Sequence, residues 1–467
     1  MCYNLKKGVI CMMTIFEELE LVKNIALSVD KMGGSTYYVG GYVRDELMGI
    51  ECKDIDIEVH WISPDTLEDI LDKFGERIEI GKSFGIYNLK GCSVDIAMPR
   101  SERALGNGHR DFHVDIDPFI GTKKACARRD FTINALMKNV ITGEIVDYFG
   151  GVNDLNSGVI RHVNDKTFAE DALRVLRAAQ FASRFGFSIA DETVSLCKKM
   201  SLKDLSSERV FDELTKALLK SSTPSLFFKN LLNMDKLSEW FPEVQQLIGI
   251  EQSKIHHAEG DVWNHTMMVI DEAAKRRELA KKPLGFMLAA LTHDFGKTIC
   301  TKVINGQVHA YMHETEGLPI IQQFINRLTS ENALTKYVLN MAQLHMQPNA
   351  MAADKSSIKA TNKMFDRSIE PWDLVHLAQC DRLGKISCIE HVSSEPFLTE
   401  RLKIFEEYMS RPYVMGRDLK EAGIKPNENY KDLLLYAHKL RLAGVPKDDA
   451  LKQTLSYART YKNTKMK

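Results

Sequence analysis

Two aspartates separated by one residue, Asp54-Ile55-Asp56, follow shortly after a Gly40-Gly41 pair. Side chains on a strand alternate between faces, so both carboxylates are predicted to share a face while Ile55 enters the core. Like charges held side by side repel each other, and a bound divalent cation removes the conflict. Hard oxygen ligands suit Mg²⁺. The glycines let backbone N–H groups approach a phosphate, and the N-terminus of a following helix favours negative charge. The stretch thus reads as strand (Tyr37–Val39), glycine turn, helix carrying Arg44 and Asp45, then a second strand holding Asp54 and Asp56. It predicts a site for a metal–nucleoside triphosphate, with Gly40, Gly41 and Arg44 on the nucleotide side. Asp95 sits in another apolar run, Ser93–Met98. Alone it would read as a solvated strand edge. Beside the other two carboxylates it is the candidate third, able to accept the proton of an attacking hydroxyl.

Two further strings carry chemistry. Arg128-Arg129 opens RRDFTINA, and adjacent guanidinium groups can hold a triphosphate by bidentate bonds. Glu170-Asp171-Ala-Leu-Arg174-Val-Leu-Arg177 has helical spacing that places Asp171, Arg174 and Arg177 on one side. Asp offers acceptors and Arg donors. Side by side they can imitate the pairing edge of a base, and both cytosine and adenine present the complementary amine and ring nitrogen. As an ordinary helix-face salt bridge the pair would be worth only a few tenths of a kcal/mol. Farther along, His265, His293-Asp294, His313, His345 and Asp381 recur on separate helical stretches. Histidine and carboxylate ligands of this kind can converge on one metal, with His313 and His345 completing a second. Water activated there would attack a phosphoester. His256 and His257 read as packing or supporting residues.

These strings resemble class II polymerase-beta-like nucleotidyltransferases, the family of CCA-adding tRNA nucleotidyltransferases and bacterial poly(A) polymerases. The resemblance implies an α+β chain: a nucleotidyltransferase head with a small mixed sheet, an all-α neck, and an all-α HD domain. It implies that a tRNA 3′ hydroxyl attacks CTP or ATP, with Mg²⁺ on Asp54 and Asp56. Arg129 would contact phosphate, Arg177 the triphosphate or sugar, and Glu170 would orient Arg174. Asp154 and Arg161 match a motif coupling head to neck, and Arg209 and Glu213 a weaker one. A flexible loop within residues 100 to 127 would help switch the enzyme to ATP. The histidine order resembles HD phosphohydrolases appended to bacterial CCA-adding enzymes, which act on 2′,3′-cyclic phosphates with a divalent metal of unspecified identity. Two rivals stay open: a poly(A) polymerase of the same class, and an HD phosphohydrolase whose head is only an RNA-binding module.

The elements that must position these groups divide into a head (1–163), a helical neck binding nucleobase and RNA (164–250), an HD domain (251–395) and a helical tail (396–467). A chain of 467 residues can bury several cores. Thr14–Met32 has helical spacing, and Ser63-Pro64 is a helix start. Ile78–Ile80 and Gly85–Leu89 read as strands, residues 100–127 as irregular, and Leu136–Val140 with Glu144–Tyr148 as a hairpin. Ser206 is expected to cap a neck helix. With 62 Lys+Arg against 63 Asp+Glu, RNA contact must come from local basic clusters. The end carrying Arg459, Lys462, Lys465 and Lys467 is basic and could touch an RNA backbone, but it reads first as a solvated terminus. Nine cysteines without a Cys-x-x-Cys pair suggest free thiols in a reducing cytoplasm. No run is apolar enough for a membrane span. The chain could begin at Met1 or Met13, and oligomeric state is not legible.

Overall fold

The computed structural model describes residues 13–52, 54–79, 85–104, 112–253, 257–386, 393–426 and 429–464. His256, Lys465, Lys467 and the centre of the expected loop lie outside them. The chain forms two compact units, Met1–Leu205 with Lys229–Lys236, and Ser206–Phe228 with Leu237–Lys467.

In the first unit, helix α1 (Ile15–Lys31) starts at Thr14, which forms a capping box with Glu17. Strand β1 (Ser35–Val39), helix α2 (Gly41–Leu47), strand β2 (Asp56–His60) and helix α3 (Pro64–Leu71) follow. Ser63 accepts from Thr66 N, and Pro64 occupies the first helical position, as expected. Strands β3 (Arg77–Glu79), β4 (Ile86–Leu89) and β5 (Asp95–Ala97) complete one side of a sheet. Beyond residue 100 come β6 (Arg100–Ala104), β7 (Phe112–Ile116), helix α4 (Thr122–Ala127), then β8 (Met137–Asn139) and β9 (Ile145–Val146). The seven-stranded order is β3-β4-β5-β2-β1-β8-β9. Only β2 and β5 are parallel within it; the other pairs are antiparallel.

Alternation along β1, β2 and β5 separates the two faces of this mixed sheet. Tyr38, Ile57, Val59 and Ile96 pack with Val22, Ile25 and Val29 of α1 and Leu67, Ile70 and Leu71 of α3. The other face carries Tyr37, Val39, Glu58, Asp56 and Asp95. One expectation fails here. Residues 100–127 are not irregular throughout: β6 and β7 form an antiparallel hairpin with Arg100 opposite Ile116, and α4 follows. Its period-2 pattern is hard to see because charged residues occupy most positions of Arg100–Ala104.

Helices α5 (Gly151–Ser157), α6 (Asp165–Ala169) and α7 (Leu173–Phe185) lead out of the sheet. The second unit is built from helices around fully buried Phe286, Phe295, Phe324, Tyr337 and Phe365. Ser206 stands at the N-cap of Ser207–Lys220 but makes no side-chain cap bond. Among the described residues, two short strand pairs reach into the regions expected to be purely helical. Val159–Ile160 pairs with Ser188–Ile189, and Lys302–Ile304 pairs with Gln307–His309. The second pair turns through Asn305-Gly306, both at positive φ, an Asn-Gly hairpin signal that sequence reading passed over. Among the described residues no helix is long and apolar enough to cross a membrane, and the six described cysteines are free.

Candidate functional site

Parallel pairing of β2 with β5 sets Asp56 directly beside Asp95. The two are 39 positions apart in sequence, yet share a face because both strands place them at the same phase of the pleat. Burial, and then the Asp95 carboxylate, raise the Asp56 pKa above its ordinary value. Asn88 donates to Asp95 at 2.7 Å, which fixes that carboxylate. Asp54 departs from expectation: it precedes β2 and is exposed, so its direction comes from the approach to the strand, not from the pleat. The donor set is hard oxygen on a cleft floor, which fits Mg²⁺.

That floor belongs to a cleft of about 380 Å³ whose walls include Glu58, Arg100, Arg128, Arg129 and Arg174. Arg129 pairs with Glu58 at 3.3 Å, and Glu58 contacts His60 at 2.8 Å. Burial opposes charge on Glu58, but His60 and Arg129 outweigh it and hold its pKa low. Gly40 has φ +62°, and a Cβ there would stand 2.9 Å from Arg129 Nη1. The glycine turn therefore backs onto an arginine of the cleft.

Arg174 is held by two backbone carbonyls, Thr167 at 2.6 Å and Arg128 at 2.8 Å. These, and not Glu170, orient it. Asp171 lies in the turn before α7, where it accepts from Leu173 N at 3.0 Å. It does not share a helical face with Arg174, because the helix begins two residues later. Arg44, expected on the nucleotide side, and Arg177, expected at the triphosphate or sugar, are engaged within the protein instead. Arg44 is 4 % exposed, bonded to Asp45 and to Asn134, with its guanidinium over Phe181 and Phe185. Arg177 donates to buried Asp130 at 2.7 Å. Asp130 in turn receives Asn134 and its neighbour's N–H. Burial works against the Asp130 charge, yet Arg177 and these donors lower its pKa. Both arginines thus brace the RRDFTINA segment. Asp154 accepts from Thr132 and Arg161, a structural pair as expected. Glu213 is buried and paired with Lys216.

The second unit gathers all six expected metal ligands. His265 lies on Val262–Ala274, His293-Asp294 end Pro283–Thr292, His313 opens His313–Glu316, His345 ends Asn332–Leu344, and Asp381 lies on Pro371–Leu383. Asp294 stands 3.1 Å from His313 Nε2, 3.3 Å from His293 Nε2 and 3.6 Å from His265 Nε2. His265 Nε2 is 3.2 Å from Asp381. Each Nδ1 faces a backbone carbonyl: Gly384 for His265, Ala290 for His293, Ala310 for His313 and Ala342 for His345. A carbonyl only accepts, so each Nδ1 carries a hydrogen and each Nε2 is turned inward, able to bind a metal when unprotonated. His265 and His293 meet Nε2 to Nε2 at 3.4 Å, and His313 and His345 at 3.3 Å. Nitrogens facing one another beside carboxylates suit a cation between them, so the donor set fits a divalent metal. Burial takes His345 down to about 3, leaving it a neutral donor. For His265, burial is outweighed by Asp381 and Glu259, which raise it to about 8. Among the described residues, the trios with donor atoms within 4.8 Å of one another are all in this unit.

The residues 36–161 match the family model of the poly A polymerase head domain, and 186–248 a model described as a probable RNA and SrmB-binding site of polymerase A. The multifunctional CCA protein of Nitrosospira multiformis is 38% identical over 314 residues, 66% of this chain and 73% of that protein. That of Nitrosomonas europaea is 40% identical over 313 residues, again 66% and 73%. The chain belongs to the CCA-adding enzyme and poly(A) polymerase family. It is a nucleotidyltransferase. The fold agrees with solved CCA-adding enzymes. One from Bacillus stearothermophilus in complex with CTP covers 97% of this chain and 100% of its own at TM-score 0.68 and 19% identity. One from Thermotoga maritima complexed with tRNA covers 96% and 99% at TM-score 0.61 and 19% identity.

Within this family member, sequence reading missed three groups that the geometry brings forward. Glu58 follows Asp56 at the next same-face position of β2 and holds Arg129. Glu259 contacts His257 at 2.8 Å and His265 at 3.3 Å, and accepts from Ile386 N. Lys297 reaches Asp294 at 2.7 Å. Each had a signal: a third acidic residue at period 2, an acid within the HHAEGDVWNH string, and a lysine three residues after Asp294.

Proposed function

We propose that this chain adds C, C and A to the 3′ end of tRNA from CTP and ATP without a nucleic-acid template. The observation that carries it is the registered Asp56–Asp95 pair under Arg128, Arg129 and a carbonyl-locked Arg174. The tRNA 3′ hydroxyl attacks the α-phosphate, a new P–O bond forms, and pyrophosphate leaves. Asp95 takes the hydroxyl proton. Arg128 and Arg129 face the triphosphate. Arg174 donates to the ring nitrogen of C or A, and Asp171 accepts from the exocyclic amine. Mg²⁺ held by Asp54, Asp56 and Asp95 would neutralise charge building on the phosphates. The tRNA acceptor arm is the RNA partner. The free thiols suit a cytoplasmic reaction.

The six-ligand cluster supports a second activity, hydrolysis of a phosphoester in an HD-type domain. Water adds to phosphorus, one ester P–O bond breaks, and the alcohol leaves with a proton. A divalent metal there would supply Lewis acidity. The deciding assay incubates tRNA lacking its 3′ end with CTP and ATP. Three added residues and a stop support the reading; long A tracts favour a poly(A) polymerase. No incorporation by folded protein with Mg²⁺ would leave only the hydrolase.

A further inference from the structure

Arg129 borders the cleft of the first unit, and the groups behind it form a line running into the fold. Its Nη2 donates to Glu58 Oε2 at 3.3 Å, and Glu58 Oε1 meets His60 Nε2 at 2.8 Å. Both carboxylate oxygens are thus engaged, which fixes the plane of the group. A carboxylate accepts, so His60 carries a hydrogen on Nε2. His60 is fully buried, and its Nδ1 has no partner among the described residues. The ring packs against Tyr37 and Trp61, with centroids 5.6 and 5.2 Å away. Trp61 stands at φ +64°, a backbone state that a bulky residue rarely adopts, and its N–H is tied to the Pro118 carbonyl at 3.0 Å. A Cβ on Gly34 would fall 2.8 Å from the His60 carbonyl oxygen, so backbone also closes on the end of β2.

We propose that Glu58 and His60 are positioning residues that hold Arg129 ready for the triphosphate of the incoming nucleotide. This rests on the nucleotidyl transfer proposed above and deepens its phosphate subsite. An acid beside a phosphate site repels the ligand, so Glu58 is unfavourable there unless it places a cation. An unpaired buried nitrogen and a strained residue are unfavourable too, and such features persist where the surrounding structure serves a site. The bond from Arg129 uses Nη2 alone, which leaves Nε and Nη1 to donate to phosphate oxygens. Nη1 lies against the Gly40 turn, where a Cβ would stand 2.9 Å from it, so the arginine and the turn border the same space. An arginine gives up rotamer freedom when it grips a ligand. One that is already held has given it up beforehand, so more of its bonding appears as affinity.

The test follows addition of C to tRNA lacking its 3′ end, with CTP and Mg²⁺. Glu58→Gln keeps the shape of the side chain and removes its charge. It should raise KM for CTP about tenfold and change kcat by less than about threefold. In an Arg129→Ala background the same substitution should leave KM where Arg129→Ala puts it, because the acid acts through that arginine. An unchanged or lowered KM in the single variant, or a full tenfold step in the Arg129→Ala background, would overturn the proposal. His60 supplies an independent arm. His60→Leu should raise KM about threefold, and His60→Gln, whose amide can still donate to Glu58, should bring it back. A wild-type KM in His60→Leu, or no recovery in His60→Gln, would overturn the part given to His60. If wild-type protein added no nucleotide, the transfer reading would fall, and equilibrium dialysis of labelled CTP would decide the support by itself. Binding about tenfold weaker in Glu58→Gln sustains it, and equal binding overturns it.

Discussion

The cleft of the first unit and the cluster of the second gather acidic residues by opposite devices. In the cleft, pleat and register do the placing: Asp56 and Asp95 are neighbours because two strands pair in parallel. Asp56 stays partly exposed, and Asp54 and Asp95 are exposed. In the cluster, ligands come from the ends and faces of five helices. Five of the six are buried, and Asp381 is only slightly exposed. A strand site can be shallow because the sheet alone fixes its geometry. A helix-end site needs enclosure, since each imidazole must be turned by a backbone carbonyl. The lesson concerns tolerance. The cleft depends on a few backbone registers, and the cluster on many packed contacts.

The largest effect should separate the two sites outright. Asp56→Ala should cut nucleotide incorporation about a thousandfold, several kcal/mol of barrier, and leave phosphoester hydrolysis intact. His293→Ala with Asp294→Ala should do the reverse. Measuring both activities on both variants breaks the comparison if each substitution lowers both.

Next comes a bracing pair of the cleft. Asp130→Asn should lower unfolding free energy by about 2 kcal/mol, because Arg177 loses a charge-assisted bond. The folded pKa of Asp130 lies below its ordinary value, so this stability is present at neutral pH and fades as pH falls through the folded value. The gap between wild-type and variant denaturation midpoints should therefore close below about pH 4. A gap that widens on acidification would count against the pair.

Arg174→Ala should reduce discrimination of C and A against U and G about tenfold, the size of one lost charged hydrogen bond. Competition between CTP and UTP on one tRNA would measure it, and unchanged selectivity would remove Arg174 from base reading. The smallest effect is expected at the turn. Gly40→Ala forces a side chain to positive φ and presses on Arg129, so stability should drop by about 1 kcal/mol and KM for the nucleotide should rise. A change in stability without any change in KM would show that the turn serves the fold alone.

Local pattern made some of this readable. Gly40-Gly41, the Ser63 cap and the β8–β9 hairpin depend on neighbours in sequence, and their steric rules act over a few residues. The six ligands were recognisable by type and order, although nothing local says that they meet. Arg44 and Arg177 were read as nucleotide contacts because charge in a motif suggests a ligand. Their buried partners, Asp45, Asn134 and Asp130, were supplied by the fold. The hairpin of Arg100–Ala104 with Phe112–Ile116 was hidden by the charged residues of its first strand, which break the alternation there.

By itself, then, the order of residues determined which chemistries were available: carboxylates for a cation, guanidinium groups for phosphate, imidazoles for a metal. Tertiary structure decided which of them face a cleft and which brace it. The physical reason is that a side chain's charge travels with its identity, whereas its partner is chosen by register and packing between segments far apart in the chain. Asp95 beside Asp56, and four imidazoles turned inward by carbonyls, exist only once those segments have met.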